Sequence, residues 1–213
     1  MYIAIEGVIG VGKTTLARLL QNTFDAEILL EVFEENPFLS DFYSDRERYA
    51  FQTQIFFLLS RYHQQRRTVN EMISTGRNLF ADYTFAKDAL FARINLKGDE
   101  LDMYYKVHEA LAEKIQKPDL LVYLQASTHT LMQRIALRDR SYERQMERSY
   151  IDELNHAYDD FFAKPFDHTP VWIVDTNNLN VIQNPEHLKW IENRIRQSLS
   201  LPPFQQTLPL PEA

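Results

Sequence analysis

Gly7-Val8-Ile9-Gly10-Val11-Gly12-Lys13-Thr14 is the stretch that decides how this chain is read. It matches G-x-x-x-x-G-K-[ST] without a departure. Glycines let successive backbone N–H groups turn inward onto phosphate oxygens, and the helix opening near Lys13 adds its positive dipole end. Lys13 brings a mobile charge to the outer phosphates, and Thr14 brings a hydroxyl to the place where Mg²⁺ sits beside them. Upstream lies the apolar run Tyr2 to Glu6, and downstream an amphipathic helix with Leu16, Leu19 and Leu20 on one side. A strand, a glycine loop and a helix in that order form a nucleotide cradle, with Gly7, Gly10, Val11, Gly12, Lys13, Thr14 and Thr15 as the binding residues.

Working outward, the same alternation repeats. Apolar strand-like runs fall at Tyr2 to Glu6, Ala26 to Glu31, Asn78 to Asp82, Leu120 to Gln125 and Val171 to Asp175. Helical patterns follow at about 13–22, a pair over 37–72, 84–94 with 100–116, 127–164 with a break, and 185–199. Strands separated by helices need crossover connections, which predicts an α/β fold with a five-stranded parallel sheet flanked by helices. Ligands of such sheets bind at the carboxyl ends of the strands. Residues 1–199 read as a single domain, and 200–213, with Pro202, Pro203, Pro209 and Pro211, as an extended or disordered tail.

Composition narrows the function classes. The chain has 213 residues, 45% hydrophobic and 25% charged, which is globular and excludes fibre or disorder. No cysteine is present, so disulfides, thiolate metal sites and cysteine nucleophiles are excluded. The longest apolar run, Ile55 to Leu59, is far short of the roughly 20 residues that span a bilayer. The N-terminal residues carry no secretory pattern, and the chain is expected to be cytoplasmic. Net charge is −7, from 23 basic and 30 acidic side chains, which argues against nucleic acid or an anionic membrane as partner. A local arginine cluster can still hold a phosphate, because distant charges are screened beyond about 8 Å.

Several side chains would reach the same crevice. Glu31 closes the second strand and is either a general base for a hydroxyl or a solvated strand-end carboxylate. Asp82 closes the third and either orients Mg²⁺ or caps the helix starting near Thr84. On the long helix, Gln54 sits between Phe51 and Phe57 and points inward, and Arg61 follows seven residues later on the same face. This row suits a nucleobase edge, or else a polar network between helices. Asp88 is a possible acceptor nearby. Arg134, Arg138, Arg140, Arg144 and Arg148 make a basic stretch whose default is a solvated helix face. A break near Asp139 would let Arg134, Arg138 and Arg140 converge on a triphosphate. The scattered histidines show no ligand spacing.

Taken together, these residues resemble the deoxyribonucleoside kinase family, and the likeness runs to about residue 199. It is carried by the loop at Gly7, the segment Glu31-Val32-Phe33-Glu34-Glu35-Asn36-Pro37, Tyr43, the Gln54 to Arg61 helix, Asp82 with Asp88, and the arginine-rich stretch ending in Glu143. The resemblance implies a P-loop kinase three-layer fold with an Arg-rich lid, ATP and Mg²⁺ as cofactors, a homodimer, and phosphorylation of a deoxyribonucleoside at its 5′-hydroxyl. In that layout Glu31 is the base, and Tyr43 and Glu143 hold the 3′-hydroxyl. Gln54, Arg61 and Asp88 read the nucleobase, Arg134, Arg138 and Arg140 contact ATP, and Thr14 and Asp82 assist magnesium. Lys13, Arg138 and Arg140 join Glu31 as catalytic groups.

Two departures stand out. The family's Glu-Pro-Val is Glu31-Val32-Phe33 here, and its acidic-Arg-Ser motif is Asp82-Tyr83-Thr84. The arginine missing at position 83 ordinarily supports the reacting oxygen and phosphates, so another cation must take over or transfer is slow. An ionised Asp88 only accepts hydrogen bonds, which favours a base with an amine or ring N–H at that edge and disfavours thymine. The Glu34-Glu35-Asn36-Pro37-Phe38-Leu39 stretch resembles the bacterial purine-directed members, favouring deoxyadenosine or deoxyguanosine. Alternatives are a nucleoside monophosphate kinase such as a thymidylate-like enzyme, which needs further cations for its acceptor phosphate, and a nucleotide-binding scaffold without turnover.

Overall fold

The computed structural model describes residues 1–203 except 34, 165, 167 and 168. Five strands form one parallel sheet: β1 (Tyr2–Glu6), β2 (Ala26–Leu29), β3 (Asn78–Ala81), β4 (Leu120–Gln125) and β5 (Val171–Asp175). Their order across the sheet is β2-β3-β1-β4-β5, so β1 is central, pairing Ile3 with Phe80 on one side and with Leu120 on the other. Every residue of β1 is buried, as a strand covered on both faces requires. The two strands before Glu31 and Asp82 stop slightly earlier than their apolar runs suggest, at Leu29 and Ala81. Both carboxylates therefore sit just past the ladder, free to bend over the crevice.

The helices are α1 (Lys13–Thr23), α2 (Leu39–Ser44), α3 (Arg46–Ser74), α4 (Lys87–Asn95), α5 (Gly98–Ala112), α6 (Thr128–Arg138), α7 (Arg148–Phe162) and α8 (Pro185–Ser198). The long α3 is capped by Asp45, whose carboxylate accepts from Arg48 N at 3.3 Å. Its buried positions Ala50, Thr53, Gln54, Phe57, Leu58, Arg61, Tyr62, Gln65, Val69 and Met72 recur at helical spacing. One buried cluster, including Ile3, Ile5, Leu16, Leu20, Leu124, Leu131 and Ile151, fills most of the interior. A second, of Tyr2, Ala4, Leu29, Val69, Met72, Leu79, Ala81 and Tyr83, lies between the sheet and α3.

Between α6 and α7 the chain breaks as the sequence suggests: Asp139 is left-handed (φ 48°) and a single 3₁₀ turn, Ser141–Glu143, follows. Beyond α8, Leu201 N donates to Arg196 O at 2.8 Å, so the first residues of the proline-rich tail fold back on the helix. Residues 204–213 of that tail lie outside the described residues. Among the described residues no helix is long and apolar enough to cross a membrane.

Candidate active site

The loop after β1 is built for an anion. Gly10 has φ +87°, and a Cβ there would stand 2.8 Å from Ile135 Cγ1 and 3.0 Å from Leu131 O, so only glycine lets the loop lie this close to α6. Gly12 caps α1 without any side-chain hydrogen bond, and no acidic residue occupies the first turn. The N–H groups opening α1 are thus uncapped by the protein, which is what a phosphate needs. Lys13 folds back over the loop and donates to Gly7 O at 2.6 Å and Val8 O at 3.2 Å. Burial, with Lys87 close by as the next contribution, pulls its amine down to about 8. Thr14 Oγ1 donates to Asp82 Oδ2, and the other oxygen of Asp82 accepts from Glu31 N at 2.8 Å. Asp82 thus joins the cradle to the residue facing it.

Glu31 lines the same cleft as Gly7, Lys13 and Thr14. Its carboxylate is shared by two cations. Arg61 Nε donates to Oε1 at 3.0 Å, with the adjoining NH2 on the same oxygen, and Lys87 Nζ lies 2.5 Å from Oε2. Burial pushes the Glu31 carboxyl up, but Arg61 and Lys87 outweigh it and hold the group well below the usual carboxylate range. The backbone leading into it is anchored as well. Gln64 Nε2 donates to Leu30 O at 2.7 Å, and Gln64 Oε1 accepts from Tyr83 OH at 2.6 Å.

Deeper in the cleft the walls become aromatic: Phe33, Phe42, Tyr43, Phe57, Phe91 and Tyr150. Gln54 is 2% exposed, lines this space, and makes no side-chain hydrogen bond among the described residues. A buried amide without protein partners calls for a ligand's polar edge. Arg61 lies over the Phe57 ring at 4.4 Å and pairs through NH1 with Asp88 Oδ1. Asp88 is fully buried behind the arginine, and its Oδ2 has no partner. The turn after α6 closes the mouth: Tyr142 stacks on Tyr43 at 6.4 Å and meets Phe33 at 5.7 Å. Glu143 accepts from Arg138 Nε at 3.1 Å and NH2 at 2.6 Å, with Arg140 NH1 at 3.8 Å.

Comparison with known proteins bears on this geometry. The sequence profile described as deoxynucleoside kinase matches residues 3–200. The chain belongs to the deoxynucleoside kinase family. It is 38% identical to the deoxyguanosine kinase of Bacillus subtilis over 158 residues, 74% of this chain and 76% of that one. It is 33% identical to the deoxyadenosine kinase of Dictyostelium discoideum, over 88% of this chain and 76% of that one. Among solved structures, deoxyadenosine kinase from M. mycoides with the products dCMP and a flexible dCDP bound superposes with a TM-score of 0.81. Identity there is 28%, covering 92% of this chain and all of the other. The same enzyme with dATP bound gives a TM-score of 0.78 at 26% identity.

The kinase brings Lys13, Thr14, Glu31, Tyr43, Gln54, Arg61, Asp82, Arg138, Arg140 and Glu143 to one cleft. Arg134 stands apart from the other two lid arginines. It donates to Thr176 Oγ1 at 3.0 Å, Thr176 O at 2.6 Å and Val11 O at 3.2 Å. There it forms one wall of a second cavity, with Gly12, Thr15, Arg138, Asn180 and Ile182, across the phosphate loop from the Glu31 cleft. Arg138 borders both spaces.

Sequence reading of this deoxynucleoside kinase missed three features. Lys87 lines the first cleft and is 5% exposed; a lone lysine opening a helix gives no signal. Glu6, fully buried, accepts from Thr84 N at 2.5 Å and Thr84 Oγ1 at 2.8 Å, tying the end of β1 to the segment after Asp82. A charged residue closing an otherwise apolar strand was the available hint. The 176–182 loop lining the second cavity carries Asn177, Asn178 and Asn180, which mark a turn but not a ligand.

Proposed function

We propose that the protein transfers the terminal phosphoryl group of ATP to the 5′-hydroxyl of a deoxyribonucleoside, with a purine nucleoside as the preferred acceptor. One observation carries the reading: an ionised, doubly ion-paired Glu31 faces the Lys13 phosphate loop across a cleft whose far end holds an unpartnered buried amide, Gln54. In the step itself the 5′-oxygen forms a bond to the terminal phosphorus as the bridging P–O bond breaks. The hydroxyl proton passes to a Glu31 oxygen, and ADP leaves. Lys13 and the N–H groups opening α1 hold the transferring charge, and Arg138 and Arg140 in the lid approach from the other side.

The donor's base fits the second cavity beside Arg134 and the 176–182 loop, since that space adjoins Gly12 and Thr15. Thr14 and Asp82 suit Mg²⁺: a hydroxyl and a carboxylate, both hard oxygen donors, already touch beside the cradle. Bound there with the phosphates, the ion would neutralise charge developing on them.

The fate of the cations favours a nucleoside over a nucleoside monophosphate as acceptor. Arg61 and Lys87, which touch Glu31, are both committed to Glu31 or Asp88, so neither is spare for an acceptor phosphate. Base choice follows from Gln54, Arg61 and Asp88. Arg61 lines the cleft with Asp88 buried behind it, and its fork can donate to a purine N7. The relatives named as deoxyguanosine and deoxyadenosine kinases point the same way. A panel of nucleosides and monophosphates with Mg-ATP is expected to give monophosphate from deoxyadenosine or deoxyguanosine at least about tenfold faster than from thymidine. Phosphorylation of a monophosphate in preference to every nucleoside would overturn the assignment.

We further infer a cytoplasmic homodimer. Leu59 on α3 and Met103 on α5 are 42% and 58% exposed, on two helices that pack together, which leaves apolar surface for a second copy. Sedimentation at micromolar concentration is expected to give twice the chain mass. A monomer would remove this part of the reading.

A further inference from the structure

We propose that Lys87 is a positioning residue for phosphoryl transfer, supplying from the first turn of α4 the cation that position 83 lacks. The inference rests on the reading of Glu31 as the base.

Position 83 cannot do this work. Tyr83 is fully buried in the cluster between the sheet and α3, and its hydroxyl is taken by Gln64. Asp82 turns to the crevice while its neighbour turns to the core, and the chain next offers a cation to the crevice at Lys87. Its Nζ lies 5.7 and 5.8 Å from the ring centroids of Tyr83 and Phe91 and 2.5 Å from Glu31 Oε2. Arg61 holds the other oxygen. The two contacts fix the carboxylate plane from both sides, so Glu31 has one orientation toward the cradle.

Stability does not account for a lysine there. A buried ammonium loses hydration, the positive end of α4 disfavours it, and Arg61 binds the same carboxylate. Apolar replacement of a whole buried pair is commonly neutral or stabilising, and when Lys87 alone is replaced the Glu31 carboxylate still keeps Arg61. What an apolar side chain would lose is the clamp on Glu31.

The test is a kinetic cycle on the full chain, with Mg-ATP and the best nucleoside of the panel. Lys87→Met is expected to lower kcat at least about thirtyfold while the KM values for ATP and nucleoside move less than about threefold. Lys87→Arg is expected to recover kcat to within about fivefold of wild type. In the Glu31→Gln background, adding Lys87→Met is expected to change kcat less than about threefold, because Lys87 acts through the carboxylate. That double variant also leaves Arg61 and Asp88 as a net-neutral pair, so a further loss there overturns the proposal even where the single variant does not fold. A Lys87→Met enzyme within threefold of wild type would overturn the proposal, as would a further loss of twentyfold or more in the double variant. Absence of wild-type turnover on every nucleoside would instead overturn the base assignment on which the proposal stands.

Discussion

Glu31→Gln is expected to lose at least about a hundredfold in kcat while the fold and ATP binding survive. The side chains are isosteric, but an amide cannot take the hydroxyl proton. The phosphate loop belongs to β1 and α1 and contacts neither Glu31 oxygen, so ATP affinity is expected to stay within about threefold. The folded state will register the change, because the new NH₂ faces Lys87 Nζ or Arg61, donor against donor. A cost of about 1–3 kcal/mol follows, or several degrees in Tm for a domain of this size. The pH dependence has a definite sign. The Glu31 carboxyl is held low when folded, so its contribution to stability is present above the unfolded value near 4.3 and fades as pH falls. The stability gap between wild type and Glu31→Gln is therefore expected to shrink below about pH 4. Wild-type turnover in the variant would defeat the base assignment, and a gap that widens in acid would defeat the ion-pair account.

Lys13→Met is expected to cost about a thousandfold in kcat, with nucleoside binding unchanged. Lys13 is the cation seated on the phosphate loop, and its amine reaches two loop carbonyls that a thioether cannot engage. Met is close in shape, and the lysine is buried with its amine pulled down to about 8, so removing the charge is expected to leave Tm unchanged or higher. Steady-state kinetics with calorimetric titration of the nucleoside checks both halves. A kcat within tenfold of wild type would show that the loop amides alone hold the transferring group.

Much of the fold was legible because its signals are local. Strands β1, β4 and β5 coincide with their apolar runs, and Gly7 to Thr14 encodes its own geometry. Glu31 and Asp82 were legible as strand-end carboxylates, although each lies just beyond its strand. The rest depended on tertiary placement. Nothing in Asp82-Tyr83-Thr84-Phe85-Ala86-Lys87 says that Tyr83 turns into the core and Lys87 returns to the crevice; that follows from how β3 gives way to α4. Arg134, Arg138 and Arg140 read as one set, yet a left-handed Asp139 and a 3₁₀ turn send Arg140 to Glu143 and Phe33 while Arg134 reaches Thr176. Asp88 reads in the sequence as a possible acceptor, with a base-reading role implied by the resemblance, whereas its carboxylate lies buried behind Arg61 and pairs with it.

The most direct measurement is a crystal structure of the enzyme with deoxyadenosine or deoxyguanosine and a non-hydrolysable ATP analogue. The expected result puts the 5′-oxygen within about 3.2 Å of a Glu31 carboxylate oxygen, with the terminal phosphoryl group on the Lys13 loop behind it. A nucleoside seated with its 5′-oxygen farther from that carboxylate than a bridging water can span would contradict the account.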